Sequence, residues 1–288
     1  MMQIKHLGFT YGKNTVNECR VLEDINFEIG VGQFIGIVGV SGSGKTTLIK
    51  HLNGLLKATS GDIIYQGKSI YDKKYILSHL RKEVGLVFQY PEKQLYGQTV
   101  LKDVCVGPIN MGMSKGEAEE SAKECLELVG ISDEYYASSP FELSGGQKRC
   151  VAIAGVLAMQ PKILVLDEPA AGLDPETKKN IFDLIEKIRK EKNITIVLVS
   201  HHMEDVAQYA DRVIVLNEGK IYLDGTPKKV FSHTEELRNL GIGVPQVTAL
   251  TEKIIKREVL PLESVAITVD DAEKMILKNW RNRRRKEV

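Results

Sequence analysis

Eight residues decide the fold: Gly39-Val40-Ser41-Gly42-Ser43-Gly44-Lys45-Thr46, which match the pattern G-x-x-x-x-G-K-[ST]. The apolar residues 34–38 precede this stretch and are typical of a strand that is buried on both faces. A helical pattern over residues 44–56 follows it. A strand, a glycine-rich loop and a helix in this order predict a phosphate-binding loop.

The residue types in this loop suit a triphosphate. Glycines allow backbone N–H groups to turn toward phosphate oxygens, and the following helix presents its positive N-terminus to them. We expect Lys45 to reach the β- and γ-phosphates and the Thr46 hydroxyl to complete a Mg²⁺ shell. The candidate phosphate-binding residues are Gly39, Val40, Ser41, Gly42, Ser43, Gly44, Lys45, Thr46 and Thr47.

A pair of acids ends a second apolar run. Residues 163–166 are all apolar and are followed by Asp167 and Glu168. Ligands of open α/β sheets bind at the carboxyl ends of the strands, so both acids are expected at that edge. Asp167 can hold Mg²⁺, and Glu168 can polarise a water for attack on the γ-phosphate. A strand that merely ends in acids is common, and only the upstream phosphate loop makes this interpretation strong.

The remaining elements predict an α/β fold with a doubly wound parallel sheet. Buried strands are expected at residues 84–88, 163–166, 194–199 and 213–216, with a helix over residues 175–190. Residues 3–11 and 21–29 alternate between apolar and polar side chains, as in antiparallel strands with one wet face. Between residues 91 and 158, helices at 100–109, 115–129 and 144–159 predict an inserted helical subdomain, and helices return after residue 225, including one near residues 270–280.

Composition excludes several classes of protein. Thirty-nine basic and 38 acidic residues leave a net charge of +1, so no overall field marks a nucleic-acid or membrane binder. We expect no transmembrane span, and no signal peptide because Lys5 and His6 lie where its apolar region would begin. Cysteines 19, 105, 125 and 150 are widely spaced and are expected to be free thiols. The basic residues 281–286 could contact anionic lipid or RNA, or could simply be solvated.

A further motif, Leu143-Ser144-Gly145-Gly146-Gln147, stands just ahead of a helix. Together with the phosphate loop and the acid pair, it resembles the signature of ATP-binding-cassette (ABC) ATPases. The resemblance covers residues 2–235, taken as the ATPase domain, and leaves residues 236–288 as a C-terminal helical extension. The other family motifs follow in order: Tyr11, Gln89, the segment Ala171-Gly172-Leu173-Asp174, and Ser200-His201.

The resemblance implies ATP and Mg²⁺ as ligands and a role for each motif. Tyr11 would stack on adenine, Glu168 would be the general base, and His201 would hold the γ-phosphate and the attacking water. Gln89 would sense Mg²⁺ and pass the state of the site to a partner. The family forms head-to-tail dimers, so Ser144 and Gly146 of one subunit would close over ATP bound to the other, with Gly145, Gln147 and Asp174 also counted among the nucleotide-binding residues.

A finer resemblance lies in the segments at residues 88–95 and 152–157. These look like the ATPase component of energy-coupling-factor (ECF) transporters, which import vitamins and transition metals. The implied partners are a second ABC ATPase subunit, in a heterodimer or a homodimer, an integral membrane coupling subunit and a substrate-binding membrane subunit. The implied location is the cytoplasmic face of the membrane, reached through a contact near Gln89 and Gln94, with no nucleic-acid partner. Two residues depart from the family pattern: Cys150 stands where the family usually has arginine, which bears on the polar contacts of the signature helix and not on the motif, and Ala170 replaces the usual threonine after Glu168-Pro169.

Two other functional classes fit the sequence less well than transport. Translation-type ABC ATPases carry two cassettes, whereas this chain has one phosphate loop, and DNA-repair types insert long coiled coils where only 97 residues separate Thr46 from Ser144. A GTPase or kinase would leave the signature motif unexplained, and the chain has no Asn-Lys-x-Asp guanine motif. Transport is therefore the function that the sequence favours.

Overall fold

A computed structural model describes residues 1–286, with residues 281–286 described by their backbone alone. The strands are β1 Met2–Tyr11, β2 Cys19–Ile29, β3 Phe34–Val38, β4 Ser60–Tyr65, β5 Lys68–Ser69, β6 Val84–Val87, β7 Ile163–Asp167, β8 Thr195–Val199, β9 Arg212–Asn217 and β10 Lys220–Gly225. The helices are α1 Lys45–Leu52, α2 Leu77–Glu83, α3 Val100–Asn110, α4 Lys115–Leu128, α5 Gly145–Leu157, α6 Pro175–Lys192, α7 Met203–Tyr209, α8 Pro227–Ser232, α9 Thr234–Asn239, α10 Gln246–Lys256 and α11 Val269–Lys286.

The central sheet has six strands in the order β10-β9-β3-β8-β7-β6. The five strands β9, β3, β8, β7 and β6 are parallel to one another, and β10 is antiparallel to β9. Strands β3, β7 and β8 are buried at every residue, as their apolar sequences require. Crossovers between non-consecutive strands confirm the predicted doubly wound sheet.

A second, antiparallel sheet has the order β2-β1-β4-β5. The alternation in β2 buries Leu22, Ile25, Phe27 and Ile29, which confirms the expected one-sided strand. These side chains pack with α1 residues and with one face of the central sheet in a single apolar cluster. The other face of the central sheet packs against the helices in a second cluster. The phosphate loop therefore starts from a strand enclosed between two cores.

The helices predicted between residues 91 and 158 are confirmed. A 3-10 turn at Pro91–Gln94 leads to α3, α4 and α5. Side chains cap each helix at its start: Thr99 for α3, Ser114 for α4 and Ser144 for α5. Such caps satisfy backbone N–H groups that have no partner inside the helix.

The C-terminal part folds as four helices, α8 to α11. Pro245 is the N-cap of α10, and the helix expected near residues 270–280 is α11. No helix in residues 1–286 combines the length and the apolar character needed to span a membrane. The sequence left open whether the basic residues 281–286 contact anionic lipid or RNA. Their side chains lie outside the described part of the structure. The four cysteines are free thiols, as expected.

Candidate functional site

The phosphate loop connects β3 to α1 and is built around glycines with positive φ. Gly42 has φ +81° and Gly44 has φ +102°, a conformation that L side chains rarely adopt. At Gly39, a Cβ atom would come within 2.3 Å of the Leu216 carbonyl oxygen on β9. Glycine is therefore required at these points by backbone conformation and by close packing. The Ser43 hydroxyl in the same loop is buried and has no hydrogen-bond partner in the described structure.

Lys45 begins α1, and its side chain folds back over the loop. The ammonium donates to the carbonyl oxygens of Gly39 at 2.8 Å and Val40 at 2.9 Å. Burial lowers the pKa of Lys45, and the carboxylates of Glu168 and Asp167 oppose this effect. The loop thus presents a buried ammonium group that an anion could contact.

Thr46 and Asp167, two candidate Mg²⁺ ligands, lie next to each other. The Thr46 hydroxyl donates to Asp167 Oδ2 at 3.2 Å, from α1 to the carboxyl end of β7. Asp167 is 5% exposed, and burial raises the pKa of its carboxyl group while the bond from Thr46 lowers it. A hydroxyl and a carboxylate are hard oxygen ligands of the kind that Mg²⁺ prefers.

Glu168 lies between the two other predicted catalytic side chains. Gln89 Nε2 donates to Glu168 Oε2 at 3.2 Å, and His201 Nε2 lies 3.1 Å from Oε1. The backbone of Glu168 has φ +49°, and its N–H donates to the Val199 carbonyl at 3.0 Å. A left-handed conformation at a residue other than glycine costs roughly 1–2 kcal/mol, and such strain clusters at active sites. The turn after β7 therefore holds the carboxylate in a position that an extended strand would not give.

These groups line one open cavity of about 530 Å³. Its lining combines the phosphate loop, the start of α1 and the three polar side chains just described: Val21, Ser41, Gly42, Gly44, Lys45, Thr46, Thr47, Gln89, Glu168 and His201. No group of three or more His, Cys, Asp or Glu side chains within the described residues could hold a metal ion. A Mg²⁺ ion here would therefore need oxygen atoms from a bound phosphate in addition to Thr46 and Asp167.

Tyr11 ends β1 close to this cavity. Its ring is 41% exposed, and its hydroxyl lies 3.4 Å from the Thr47 hydroxyl. An exposed aromatic face next to the phosphate loop could stack on a base. His202, next to the predicted His201, is the exposed N-cap residue of α7 and does not line the cavity.

The signature residues lie outside the cavity. Ser144 caps α5 by accepting from the Gln147 backbone N–H, and the Gln147 side chain accepts from the Ser144 N–H. Asp174 caps α6 by accepting from the N–H groups of Glu176 and Thr177. The two motifs are neighbours, since a Cβ atom on Gly146 would lie 3.0 Å from Thr177 Cγ2. The structure thus forms two separate groups of predicted site residues.

Arg149 makes buried polar contacts that the sequence did not predict. Its side chain is 2% exposed, donates twice to Glu92 Oε2 at 3.2 and 3.0 Å, and donates to the Ala171 carbonyl at 2.9 Å. Arg149 therefore joins α5 to the turn at Pro91–Gln94 and to the segment before Asp174. Arg149 thus gives the signature helix buried polar contacts, while its neighbour Cys150 packs against the core and burial raises the pKa of its thiol to about 11.

Val21 was also missed, because nothing in its strand pattern marks a ligand-facing residue. Strand β2 packs closely against the phosphate loop at this point. A Cβ atom on Gly44 would lie 3.0 Å from the Val21 carbonyl oxygen. Only the tertiary contact between the antiparallel sheet and the phosphate loop places it in the cavity.

Comparisons with known proteins agree with this geometry. The model of the ABC transporter family matches residues 22–171. A solved structure of cbiO1 from Clostridium perfringens, part of the ABC transporter complex cbiONQ, superposes with a TM-score of 0.74 at 37% identity and covers 87% of this chain and 98% of that one. The ATP-binding cassette MJ0796, solved as a dimer in a post-hydrolysis state with ADP and Pi, gives a TM-score of 0.69 at 31% identity and covers 79% of this chain and 99% of its own.

Curated relatives are similar over nearly their whole length. The energy-coupling factor transporter ATP-binding protein EcfA2 of Caldanaerobacter subterraneus subsp. tengcongensis is 50% identical over 280 residues, 97% of this chain and 98% of the relative. EcfA2 of Clostridium perfringens is 49% identical over 282 residues, 98% and 99% of the two chains. These findings confirm the fold class and the transport ATPase predicted from the sequence. The chain belongs to the ABC transporter family and, within it, to the ATP-binding subunits of energy-coupling factor transporters.

Proposed function

We propose that this subunit binds Mg²⁺-ATP in the cavity at the phosphate loop and hydrolyses it with Glu168 as general base, to power uptake of a vitamin or a transition-metal ion. The observation that carries the proposal is the placement of the Glu168 carboxylate. It lies 3.2 Å from Gln89 and 3.1 Å from His201, in the cavity that Lys45 and Thr46 also line. A positioned base of this kind can activate water for attack on a phosphate.

The residues present suit the two ligands. The buried, unpartnered Ser43 hydroxyl and the Lys45 ammonium offer donors to phosphate oxygens, and α1 adds the positive end of its dipole. Thr46 and Asp167 would hold Mg²⁺, and Gln89 lies near enough to sense it through Glu168. When bound, Mg²⁺ would supply charge neutralisation for the phosphates.

The residues in and beside the cavity would have separate roles in ATP binding or hydrolysis. Lys45 would bind the β- and γ-phosphates, and Tyr11 would stack on the adenine. Glu168 would orient the attacking water and accept its proton, and His201 would position the γ-phosphate and that water. Because phosphoryl transfer depends mainly on positioning and charge stabilisation, these fixed contacts account for most of the expected rate.

A second ABC ATPase subunit would complete the site. Ser144 and Gly146 lie at the start of α5, away from the cavity, so a head-to-tail partner is needed to bring a signature motif onto bound ATP. The dimeric state of the MJ0796 cassette supports such an arrangement. We propose a heterodimer, with a dimer of two copies of this chain as the alternative, and no nucleic-acid partner.

The proposed location is peripheral, on the cytoplasmic face of the cell membrane. The proposed contact with a membrane coupling subunit involves the surface after Gln89, where Tyr90 and Tyr96 are 38% and 72% exposed. Exposed aromatic side chains beside a catalytic loop are suited to a protein interface. A separate substrate-binding membrane subunit would select the solute.

We also propose a division into an ATPase domain and a C-terminal helical extension, with the helical subdomain at residues 91–158. The expected boundary after residue 235 falls inside α9, Thr234–Asn239. Since a boundary within a helix would divide a cooperative unit, we place it after that helix, at Gly241, where φ is +74°.

Replacing the general base tests this function. Glu168→Gln keeps the size of the side chain and removes its basicity, so we expect ATP binding to persist and turnover to fall by about 10²–10⁴-fold. Turnover should be measured as phosphate release in the assembled dimer with the partner's site disabled, and binding by calorimetry on the same preparation.

Glu191→Gln is the matched control, because Glu191 is exposed on α6 and pairs only loosely with Lys187 at 3.9 Å. We expect turnover within twofold of the unmodified protein, in line with the small effects typical of surface substitutions. Equal turnover of Glu168→Gln and the control would remove Glu168 from its proposed role.

A further inference from the structure

Four residues form a closed ring of contacts between β1 and α1. The Tyr11 ring packs edge-on against Phe9 with centroids 4.6 Å apart, and Phe9 packs edge-on against His51 at 4.7 Å. His51 Nδ1 lies 2.8 Å from the Thr47 carbonyl oxygen, and the Thr47 hydroxyl lies 3.4 Å from the Tyr11 hydroxyl. Each member is therefore held by two others.

The protonation of His51 follows from its partner. A carbonyl oxygen can only accept a hydrogen bond, so Nδ1 carries the proton and Nε2 is bare. The side chain is fully buried, and Nε2 has no hydrogen-bond partner in the described structure. Burial lowers the pKa of His51, which keeps the ring neutral at pH 7. A neutral imidazole with one unused nitrogen contributes here through its shape and through the Thr47 bond.

The ring lies against the nucleotide site on one side only. Tyr11 is exposed toward solvent and Thr47 lines the cavity, while Phe9 and His51 are buried behind them. The His51 side chain is fully buried and is not part of the cavity lining, so a ligand there does not contact it directly. His51 can affect a ligand only through Phe9 and Tyr11 or through Thr47.

We propose that His51 and Phe9 are positioning residues that fix the orientation of Tyr11 for the base of the nucleotide. Two edge-on aromatic contacts in series set the plane of the exposed tyrosine ring, and the Thr47 bonds tie that plane to the phosphate-loop helix. The inference rests on the proposed function in one respect, namely that Tyr11 contacts the base. It adds the residues that hold Tyr11 in place, and it predicts that they act on the base and not on the phosphates.

The test compares ATP with inorganic tripolyphosphate, which has the phosphates but no base. Both affinities are measured by calorimetry on the purified full-length chain in Mg²⁺-free buffer, where hydrolysis does not proceed. We expect His51→Ala to weaken ATP binding about threefold to tenfold, the range of an aromatic pair contact. Tripolyphosphate binding should stay within twofold, and in a Tyr11→Ala background His51→Ala should have no further effect on ATP.

Two more variants separate positioning from stability. His51→Phe keeps a ring against Phe9 but loses the bond to the Thr47 carbonyl, so it should weaken ATP binding less than His51→Ala does; equal weakening by the two variants would contradict a role for the aromatic contact. Phe9→Leu removes the aromatic ring that lies between Tyr11 and His51, so it should weaken ATP binding as His51→Ala does. If His51→Ala does not fold, the ATP and tripolyphosphate affinities of Phe9→Leu test the proposal in its place. Phe27→Leu is the control for Phe9→Leu. Phe27 is similarly buried but lies in β2 opposite Ile4, at the end of β1 away from Tyr11. Its replacement should leave the affinities for ATP and tripolyphosphate unchanged.

The outcomes distinguish this inference from the function on which it rests. Equal weakening of ATP and tripolyphosphate by His51→Ala would contradict positioning of the base. If Tyr11→Ala weakens ATP binding but His51→Ala and Phe9→Leu do not, the inference fails and the base contact stands. If Tyr11→Ala leaves ATP affinity unchanged, the proposed base contact fails and the inference fails with it.

Discussion

At the scale of single residues, Arg149 shows what a buried charge requires. Its guanidinium is 2% exposed and depends on the Glu92 carboxylate and the Ala171 carbonyl for compensation. Glu92 itself is 20% exposed, so it can reach water in part. Loss of the carboxylate therefore leaves the costlier of the two charges buried without its counterion.

We predict that Glu92→Ala lowers the free energy of unfolding by about 3–5 kcal/mol, the usual cost of breaking a buried ion pair from one side. Glu92→Gln retains an oxygen that can accept from Arg149, so a smaller loss of about 1 kcal/mol is expected. Urea denaturation of the purified chain measures both values.

Glu134→Ala is the control for this prediction, because Glu134 is an exposed glutamate in another 3-10 turn of the same helical region, Asp133–Tyr135. Its effect should stay within about 0.5 kcal/mol. A loss for Glu92→Ala no larger than that of the control would show that Arg149 does not need its partner.

Single functional residues could be predicted where a motif fixes their spacing. They could not be predicted where only the tertiary fold brings the residue to its partner. Lys45 and Thr46 could be assigned because the loop pattern places them next to each other. Arg149 could not, because its partners Glu92 and Ala171 are 57 and 22 residues away along the chain. No local pattern encodes a pairing over that distance.

At the scale of elements, Glu252 attaches α10 to α9. Its Oε1 accepts from the Thr234 hydroxyl at 2.7 Å and lies 3.1 Å from Lys256 Nζ, and Oε2 accepts from Arg238. The hydrogen bond from Arg238 is the main reason that the pKa of Glu252 falls to about 2, from an ordinary value of 4.5. The carboxylate is thus stabilised in its charged form by the fold.

A lowered pKa gives a definite pH dependence. The folded chain holds the Glu252 proton less tightly than the unfolded chain, so this contribution to stability is complete above about pH 4.5 and is lost as the pH falls toward about 2. Glu252→Gln should lower the free energy of unfolding by about 1–3 kcal/mol at pH 7. The difference in melting temperature between variant and unmodified chain should shrink as the pH is lowered through this range.

Glu273→Gln is the control, because Glu273 is exposed on α11. Its melting temperature should follow that of the unmodified chain at every pH. A difference between Glu252→Gln and the unmodified chain that does not change between pH 7 and pH 3 would contradict the account of the Glu252 charge.

Elements were predictable where side chains mark their ends. Helices α4 and α5 each carry a capping box, Ser114 with Glu117 and Ser144 with Gln147, and both were predicted. Helices α2 and α7 have seven residues each, start at Ile76 and His202 without a side-chain cap, and were not predicted. Strand β5 has only two residues, and strand β4 is defined by its pairing with β1 and β5, which a local pattern does not show.

At the scale of the whole molecule, the doubly wound sheet explains how distant residues meet. The phosphate loop follows β3, Glu168 follows β7 and His201 follows β8, and these three strands are adjacent and parallel. Their carboxyl ends share one edge of the sheet, where ligands bind in such folds. The order of the motifs along the chain therefore pointed to the cavity, whereas the ring of contacts around His51 depends on the packing of α1 against β1.

The whole molecule also presents its site in two halves. The cavity holds Lys45 and Glu168, and the signature residues lie apart at the start of α5. This division fits the proposal that a partner subunit closes the site, and the proposed function assigns passage of the solute to membrane partners. Assembly is thus the central claim about this chain.

Purification of the tagged chain from native membranes in gentle detergent tests that claim most directly. We predict recovery in stable proportion with a second ABC ATPase and two integral membrane proteins, together with ATP hydrolysis that the Glu168→Gln variant lacks. Recovery with ribosomes or nucleic acid, and without integral membrane proteins, would contradict it.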